Sequence, residues 1–193
     1  RRLRQLGLLW HLDLLTCVSG GSIAGAFLAA NWGDDGALDR LETFLRSKSI
    51  AVSSVIGGLL DPFHTRLEVL AAQYDRDLFH GAKMDDLKGG PRIYFNATNL
   101  ATGNMFFFVA GGGLATEMGE HELGQGDASD TPVSRAVAAS SAFPPVFPPL
   151  RIDQDEFDSD KVDFVTLTDG GVYDNLGVNP VLRTERNPLD YAI

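Results

Sequence analysis

The sequence predicts an α/β fold, and three observations carry that expectation. The apolar run Leu12 to Val18 is short enough for a buried strand, and across a turn of small residues the Ala- and Leu-rich run Ile23 to Ala30 suits a helix. Arg92 to Thr98 alternates as a strand does, with Asn104 to Ala110 as its hairpin partner across Ala101-Thr102-Gly103. Elsewhere the chain is alternately helical and extended. Its 193 residues, 44% hydrophobic and 22% charged, have the composition of a folded domain. A chain of that size buries roughly 70% of its unfolded surface in one core, so a single domain over residues 1–193 is expected.

In chain order, a helix is expected near residues 1–10, before the first strand. The helix after the turn runs to about Asn31, where Asp34-Asp35-Gly36 breaks it. Leu38, Leu41, Phe44 and Leu45 then recur at helical spacing. Ser53 to Phe63 mixes Gly, Pro and apolar residues without a clean period, and Arg66 to Tyr74 is helical again. Gly111 to Asp130, polar and Gly-rich, reads as a long surface loop. Pro132 to Ala139 reads as a short helix with Pro near its first turn. The Pro-rich run Phe143 to Leu150 is neither regular helix nor central strand. It either walls a pocket or packs over the sheet edge. Val162 to Thr168 reads as a strand ending at Asp169. No internal repeat and no linker interrupts the chain.

Two turns carry the chemistry. In the first, Cys17-Val18-Ser19-Gly20-Gly21-Ser22-Ile23-Ala24-Gly25, a serine stands where strand passes into helix. Such a junction lifts a hydroxyl out of the sheet beside backbone N–H groups that stabilise an oxyanion. Gly20-Gly21-Ser22-Ile23-Ala24 fits G-x-S-x-G except that Ala replaces the last Gly, which makes Ser22 the candidate nucleophile. Gly20 two residues ahead and the helix immediately after favour Ser22. The stretch can also be set on a G-x-S-G-S pattern, with Ser19 attacking. Read as structure alone, Ser22 is a helix N-cap. A phosphate loop would need Lys after Gly25, and a dinucleotide fingerprint would need Gly at Ser22, so nucleotide binding fits poorly.

The second turn is Leu167-Thr168-Asp169-Gly170-Gly171. A Ser-His-Asp hydrolase of the α/β type places its histidine late, yet His11, His64, His80 and His121 all precede Asp169. His121, flanked by Glu120 and Glu122, reads as a solvated loop residue. Asp169 closes a strand, so its carboxylate projects from the end of the sheet as a candidate base. An ordinary Asp, with a pKa near ~3.9, is a feeble base toward a hydroxyl, and partial burial would make it a better one. Asp-Gly also favours a plain Asx turn.

Together the turns resemble the patatin-like phospholipases, or lipid acyl hydrolases. That resemblance rests also on Phe95-Asn96-Ala97-Thr98-Asn99-Leu100 with Thr102-Gly103, on Ala138-Ala139-Ser140-Ser141-Ala142-Phe143-Pro144-Pro145, and on Val172-Tyr173-Asp174-Asn175-Leu176-Gly177. It implies a three-layer sandwich with a mainly parallel central sheet and a Ser22–Asp169 dyad without histidine. The two side chains should meet at the carboxyl ends of neighbouring parallel strands. The resemblance further implies phospholipid or acylglycerol substrates at a membrane or micelle interface, and no metal or organic cofactor. The family's oxyanion loop, Gly-rich with a basic residue, lies before the helix that leads into the elbow strand. This chain begins within that helix, and Gly111-Gly112-Gly113 comes after the serine. The sequence therefore reads as an internal segment of a longer protein, with little or no lipase activity expected of it alone.

A net charge of −10 argues against nucleic acid, which needs clustered Lys and Arg. No apolar run approaches the roughly 18 residues of a membrane span. The single Cys17 forms no internal disulfide and is expected to pack in the core, which leaves the compartment open between cytoplasm and membrane periphery.

Overall fold

Among the described residues seven strands build one sheet, and the lengths of their connections explain its topology. The computed structural model describes residues 2–47, 64–157, 159–183, 185–190 and 192. The strands are β1 (Leu14–Val18), β2 (Arg92–Asn99), β3 (Met105–Ala110), β4 (Glu117–Glu120), β5 (Gly124–Asp127), β6 (Leu150–Asp153) and β7 (Phe164–Asp169). Their order is β5-β4-β3-β2-β7-β6, with β1 also beside β2. Only β1 and β2 pair in parallel; the other pairings among these strands are antiparallel. The expected mainly parallel sheet is thus overturned. Parallel neighbours need a crossover of about a dozen residues or more, usually through a helix. Between strands that are neighbours in this sheet, the β1-to-β2 connection is the one built that way. From β2 to β5 the strands follow one another through short turns, which force antiparallel pairing.

The sequence-derived elements are otherwise close to those observed. The expected hairpin of Arg92–Thr98 with the strand after Asn104 forms, with Phe95 opposite Phe108. Helices α2 (Gly20–Ala30), α3 (Ala37–Ser47), α4 (Arg66–Tyr74) and α5 (Val133–Ser140) stand where the periodicity put them. Thr65 and Glu68 close a reciprocal capping box at the start of α4. The helix expected near residues 1–10 is cut short. Helix α1 (Arg2–Gln5) stops before Gly7, whose φ of 70° is left-handed, and a 3-10 turn follows at Leu9–His11. The Gly111 to Asp130 stretch is not all loop, since it contains the β4–β5 hairpin. Its strands carry Glu, Gln and Gly in place of β-branched residues, so composition concealed them. The Ser53 to Phe63 reading lies outside the described residues.

Helices α2, α4 and α5 pack on one face of the sheet. Their Ala26, Leu70 and Ala136 meet Ile93, Phe95, Phe106 and Phe108, all fully or almost fully buried. Removing each large side chain from water contributes about 1.5–3 kcal/mol. The opposite face carries a smaller cluster of Tyr94, Phe107 and Val109. A short helix, α6 (Gln154–Phe157), lies between β6 and β7, and two more, α7 (Gly171–Asp174) and α8 (Asn179–Leu182), follow β7. The segment after α8 lies over that second cluster, where Tyr94 donates from its hydroxyl to Asn187.

Close packing of α2 on β1 depends on Gly25, where a Cβ would overlap Cys17 Sγ. Gly25→Ala should therefore destabilise the fold by about 1–3 kcal/mol, read as a lower denaturant midpoint. Cys17 is the core residue the sequence suggested, and burial pushes its thiol pKa up to about 12. The thiolate is the reactive form, so Cys17 at pH ~8 should react with iodoacetamide roughly 10³-fold more slowly in the folded than in the unfolded chain. Equal rates would show that the thiol is not sealed in the core.

Candidate active site

The site lies where two strands run toward each other along one edge of β2. β3 occupies the other edge, from Ile93 to Thr98. On the shared edge β1 pairs with Arg92 to Asn96, and β7 pairs with Ala97 to Asn99 in the opposite direction. The last residue of β1, Val18, is thereby level with Asn96, and the last residue of β7, Asp169, is level with Ala97. Whatever follows Val18 must meet Asp169. The strands converge end to end, instead of lying side by side in parallel as expected.

The residue that meets Asp169 is Ser19. Its hydroxyl donates to Asp169 Oδ2 at 2.6 Å. Ser19 has φ 53° and ψ −129°, a left-handed conformation rarely held by a residue with a side chain. Strain of this kind costs on the order of 1–3 kcal/mol and collects at functional sites. It is held in place by the Ser19 N–H, which donates to the carbonyl and to the hydroxyl oxygen of Ser140 at 3.1 and 3.2 Å. Ser19 is partly exposed, and Gly20 and Gly21 after it are exposed.

Ser22 stands elsewhere. Helix α2 starts at Gly20, so Ser22 is already in its first turn, on the buried stripe with Ala26 and Ala29. It is 0% exposed, and its hydroxyl pairs with Ser140 Oγ at 2.7 Å. The single Ser140 proton goes to the Asn96 carbonyl at 2.6 Å, so Ser22 is the donor of that pair. No hydrogen bond joins Ser22 to Asp169 among the described residues, and the expected Ser22–Asp169 contact is corrected to Ser19–Asp169. Nor is Ser22 the N-cap: Ser19 holds that position, with its side chain turned to the carboxylate instead of the helix.

Asp169 is 2% exposed and held on every side. Its Oδ1 accepts the Gly171 N–H at 2.7 Å, its own N–H donates to the Ala142 carbonyl, and Thr98 Oγ1 donates to its carbonyl. The glycine after it has a steric reason, because a Cβ on Gly170 would overlap the Asn96 carbonyl. The Gly170 N–H donates to the Ser140 carbonyl, which also takes the Ser19 N–H. Ser140 thus fastens the elbow, the aspartate turn and β2 together. No histidine side chain hydrogen-bonds to Ser19 or Asp169 among the described residues.

The Pro-rich run is part buried and part exposed. Phe147 is buried in the core, whereas Phe143 is exposed, one residue beyond the Ala142 carbonyl that supports Asp169. Pro149 and Leu150 line a cavity of about 600 Å³ between α4 and α5. Val172 and Leu176, just beyond Asp169, are also exposed. Among the described residues, no helix is long and apolar enough to cross a membrane.

The sequence pattern of patatin-like phospholipases matches residues 2–182, nearly the whole chain. The chain belongs to the patatin-like phospholipase family. That membership implies an α/β hydrolase-like fold and points to lipid acyl hydrolysis. Comparison with curated proteins finds no match. Within this patatin-like frame, each motif of the sequence has a mechanical part. The Asn96 to Asn99 stretch is the edge on which both strand ends meet, the Ser140 to Ala142 stretch braces them, and Asp169-Gly170-Gly171 turns beneath the Asn96 carbonyl.

Sequence reasoning preferred Ser22, with Gly20 two residues ahead and a helix immediately after, and kept Ser19 as the alternative. Two signals favoured it. Gly21 stands two residues after Ser19, as the elbow pattern requires. Ser22, Ala26 and Ala29 share one helical stripe, which assigns Ser22 to the core.

Proposed function

We propose that this chain is a lipid acyl hydrolase in which Ser19 is the nucleophile and Asp169 its base. The 2.6 Å hydrogen bond between them carries the reading. A general base must lie within about 2.6–3.2 Å of the proton that it takes. The strained strand-to-helix turn supports it further, since that bend lifts a hydroxyl clear of the sheet.

In the first half-reaction, Ser19 Oγ attacks the acyl carbonyl carbon as its proton passes to Asp169 Oδ2. The tetrahedral intermediate collapses, the ester C–O bond breaks, and the leaving alcohol takes the proton back from Asp169. In the second half, water attacks the acyl-serine and gives its proton to Asp169. Release of the carboxylic acid returns that proton to Ser19. Negative charge grows on the carbonyl oxygen at both stages. The Gly20 N–H, next after the nucleophile, has no backbone partner among the described residues and is a donor for that charge. The exposed Phe143, Val172 and Leu176 offer apolar surface for acyl chains at a membrane or micelle interface. No step calls on a metal or organic cofactor.

The test is fatty-acid release from phosphatidylcholine and from a triacylglycerol, combined with fluorophosphonate labelling and mapping of the labelled peptide. Label on Ser19 is the expected result, with fatty acid released in full measure only where the oxyanion loop that the family resemblance implies accompanies these residues. Label on Ser22, or hydrolysis with neither serine labelled, overturns the assignment.

A further inference from the structure

The sheet face turned away from α2 and α5 holds a cavity of about 100 Å³, lined by neither Ser19 nor Asp169. Tyr94 and Phe107 of the second cluster form its apolar floor, and Arg183 and Arg186 enter from the segment after α8. Neither guanidinium has a carboxylate within 4 Å among the described residues. Arg183 Nε reaches only Asn179 Oδ1 at 3.5 Å, and Arg186 donates to the Gln125 side-chain carbonyl when that amide is turned toward it. Two guanidiniums free of carboxylates are unexpected in a chain of net charge −10, where 26 acidic residues outnumber 16 basic ones.

Polar groups converge on the cavity from separate elements. Asn104 comes from the β2–β3 turn, His121 from the β4–β5 turn and Tyr173 from α7. Among the described residues, Glu122 is the one carboxylate in the lining, set against two guanidiniums. The volume holds on the order of seven water-sized positions, enough for a tetrahedral anion on a short stem and too little for an acyl chain. A planar carboxylate presents acceptors in one plane, whereas these donors approach from several sides. Guanidinium forks match phosphate oxygens with charge-assisted hydrogen bonds.

We propose that the cavity between the sheet and the segment carrying Arg183 and Arg186 is a binding site for a phosphate monoester group. The source is either a soluble phosphate ester or the headgroup of a phosphate-bearing lipid at the surface on which the protein works. Occupation tethers the segment after α8 to the β4–β5 turn. It therefore stabilises the chain just beyond α7, the helix whose first N–H holds Asp169.

Titration of the protein with glycerol 3-phosphate and with inorganic phosphate, followed by calorimetry and by Tm, tests the site. Both probes are expected to bind and to raise Tm. Arg183→Gln/Arg186→Gln should weaken binding by at least about tenfold, since each charge-assisted pair is lost. His121→Glu, on the exposed lip, should weaken it in the same direction while leaving the unliganded Tm unchanged, so misfolding cannot account for the loss. Arg46→Gln removes one positive charge from exposed α3 and should leave phosphate binding unchanged. Sedimentation with phosphatidylcholine vesicles, with and without phosphatidic acid, separates the sources. Co-sedimentation that requires both phosphatidic acid and the two arginines identifies a lipid headgroup, and binding of the soluble ester alone identifies a free one. Absence of binding by all of these probes, or binding undiminished in both cavity variants, overturns the proposal.

Discussion

Ser19→Ala is expected to abolish fluorophosphonate labelling and to lower lipid ester hydrolysis by on the order of 10³-fold or more, whereas Ser22→Ala keeps the label. The contrast follows from where the two hydroxyls lie. Ser19 Oγ is at the partly exposed end of β1 with its proton on Asp169. Ser22 Oγ is sealed in the core with its proton on Ser140. Removing the Ser22 hydroxyl takes one of two donors from Ser140 Oγ, and the remaining donor is the Ser19 N–H itself. Ser22→Ala should therefore cost about 0.5–1.5 kcal/mol of stability and reduce turnover modestly, by loosening the elbow. Intact-protein mass after labelling, with Tm recorded on the same samples, separates the two effects. A Ser19→Ala protein that still takes up the probe, or a well-folded Ser22→Ala protein that does not, would return the nucleophile to Ser22.

The two candidate serines show how far the sequence was legible. Local patterns marked the elements well where hydrophobic period and turn chemistry agreed, as in the hairpin Arg92 to Ala110 and in helices α2, α4 and α5. The aspartate turn was legible for the same reason, since Asp169 closes an alternating strand and Gly170 must pass beneath a carbonyl. The frame of the elbow was less legible, since the sequence put Ser22 beside Asp169 and the structure puts Ser19 there. The elbow pattern has two imperfect settings, Cys17-Val18-Ser19-Gly20-Gly21 and Gly20-Gly21-Ser22-Ile23-Ala24, each with one of its two flanking glycines. The start of α2 separates an exposed turn from a buried helical stripe. Helix boundaries are uncertain by a residue or two, and three residues here exchange an exposed hydroxyl for a buried one. Sheet topology was misread for a different reason. Family resemblance implied parallel strands, while the connection lengths after β2 already called for antiparallel ones. The Glu-, Gln- and Gly-rich strands β4 and β5 then escaped notice, because a polar edge hairpin has no apolar alternation to betray it.

Asp169→Asn tests the base while leaving its surroundings in place. The amide is isosteric, and its carbonyl oxygen can still accept the Gly171 N–H that fixes Oδ1 at 2.7 Å. The Asp169 backbone bonds to Ala142 and Thr98 are unaffected. What disappears is the oxygen that takes the Ser19 proton, since an amide nitrogen at that position is a donor facing a donor. Turnover should fall by about 10²–10⁴-fold, the range of a positioned general base. KM for a monomeric short-chain ester should stay near the wild-type value, because Asp169 is 2% exposed and offers little surface to a substrate. Fluorophosphonate labelling should slow in parallel with kcat, since that reaction also needs the hydroxyl proton removed. The fold should survive, with a Tm close to wild type. If labelling keeps its wild-type rate, the carboxylate only positions Ser19 and another group takes the proton. If Tm collapses with activity, Asp169 is structural first, and Ser19→Ala alone decides the nucleophile.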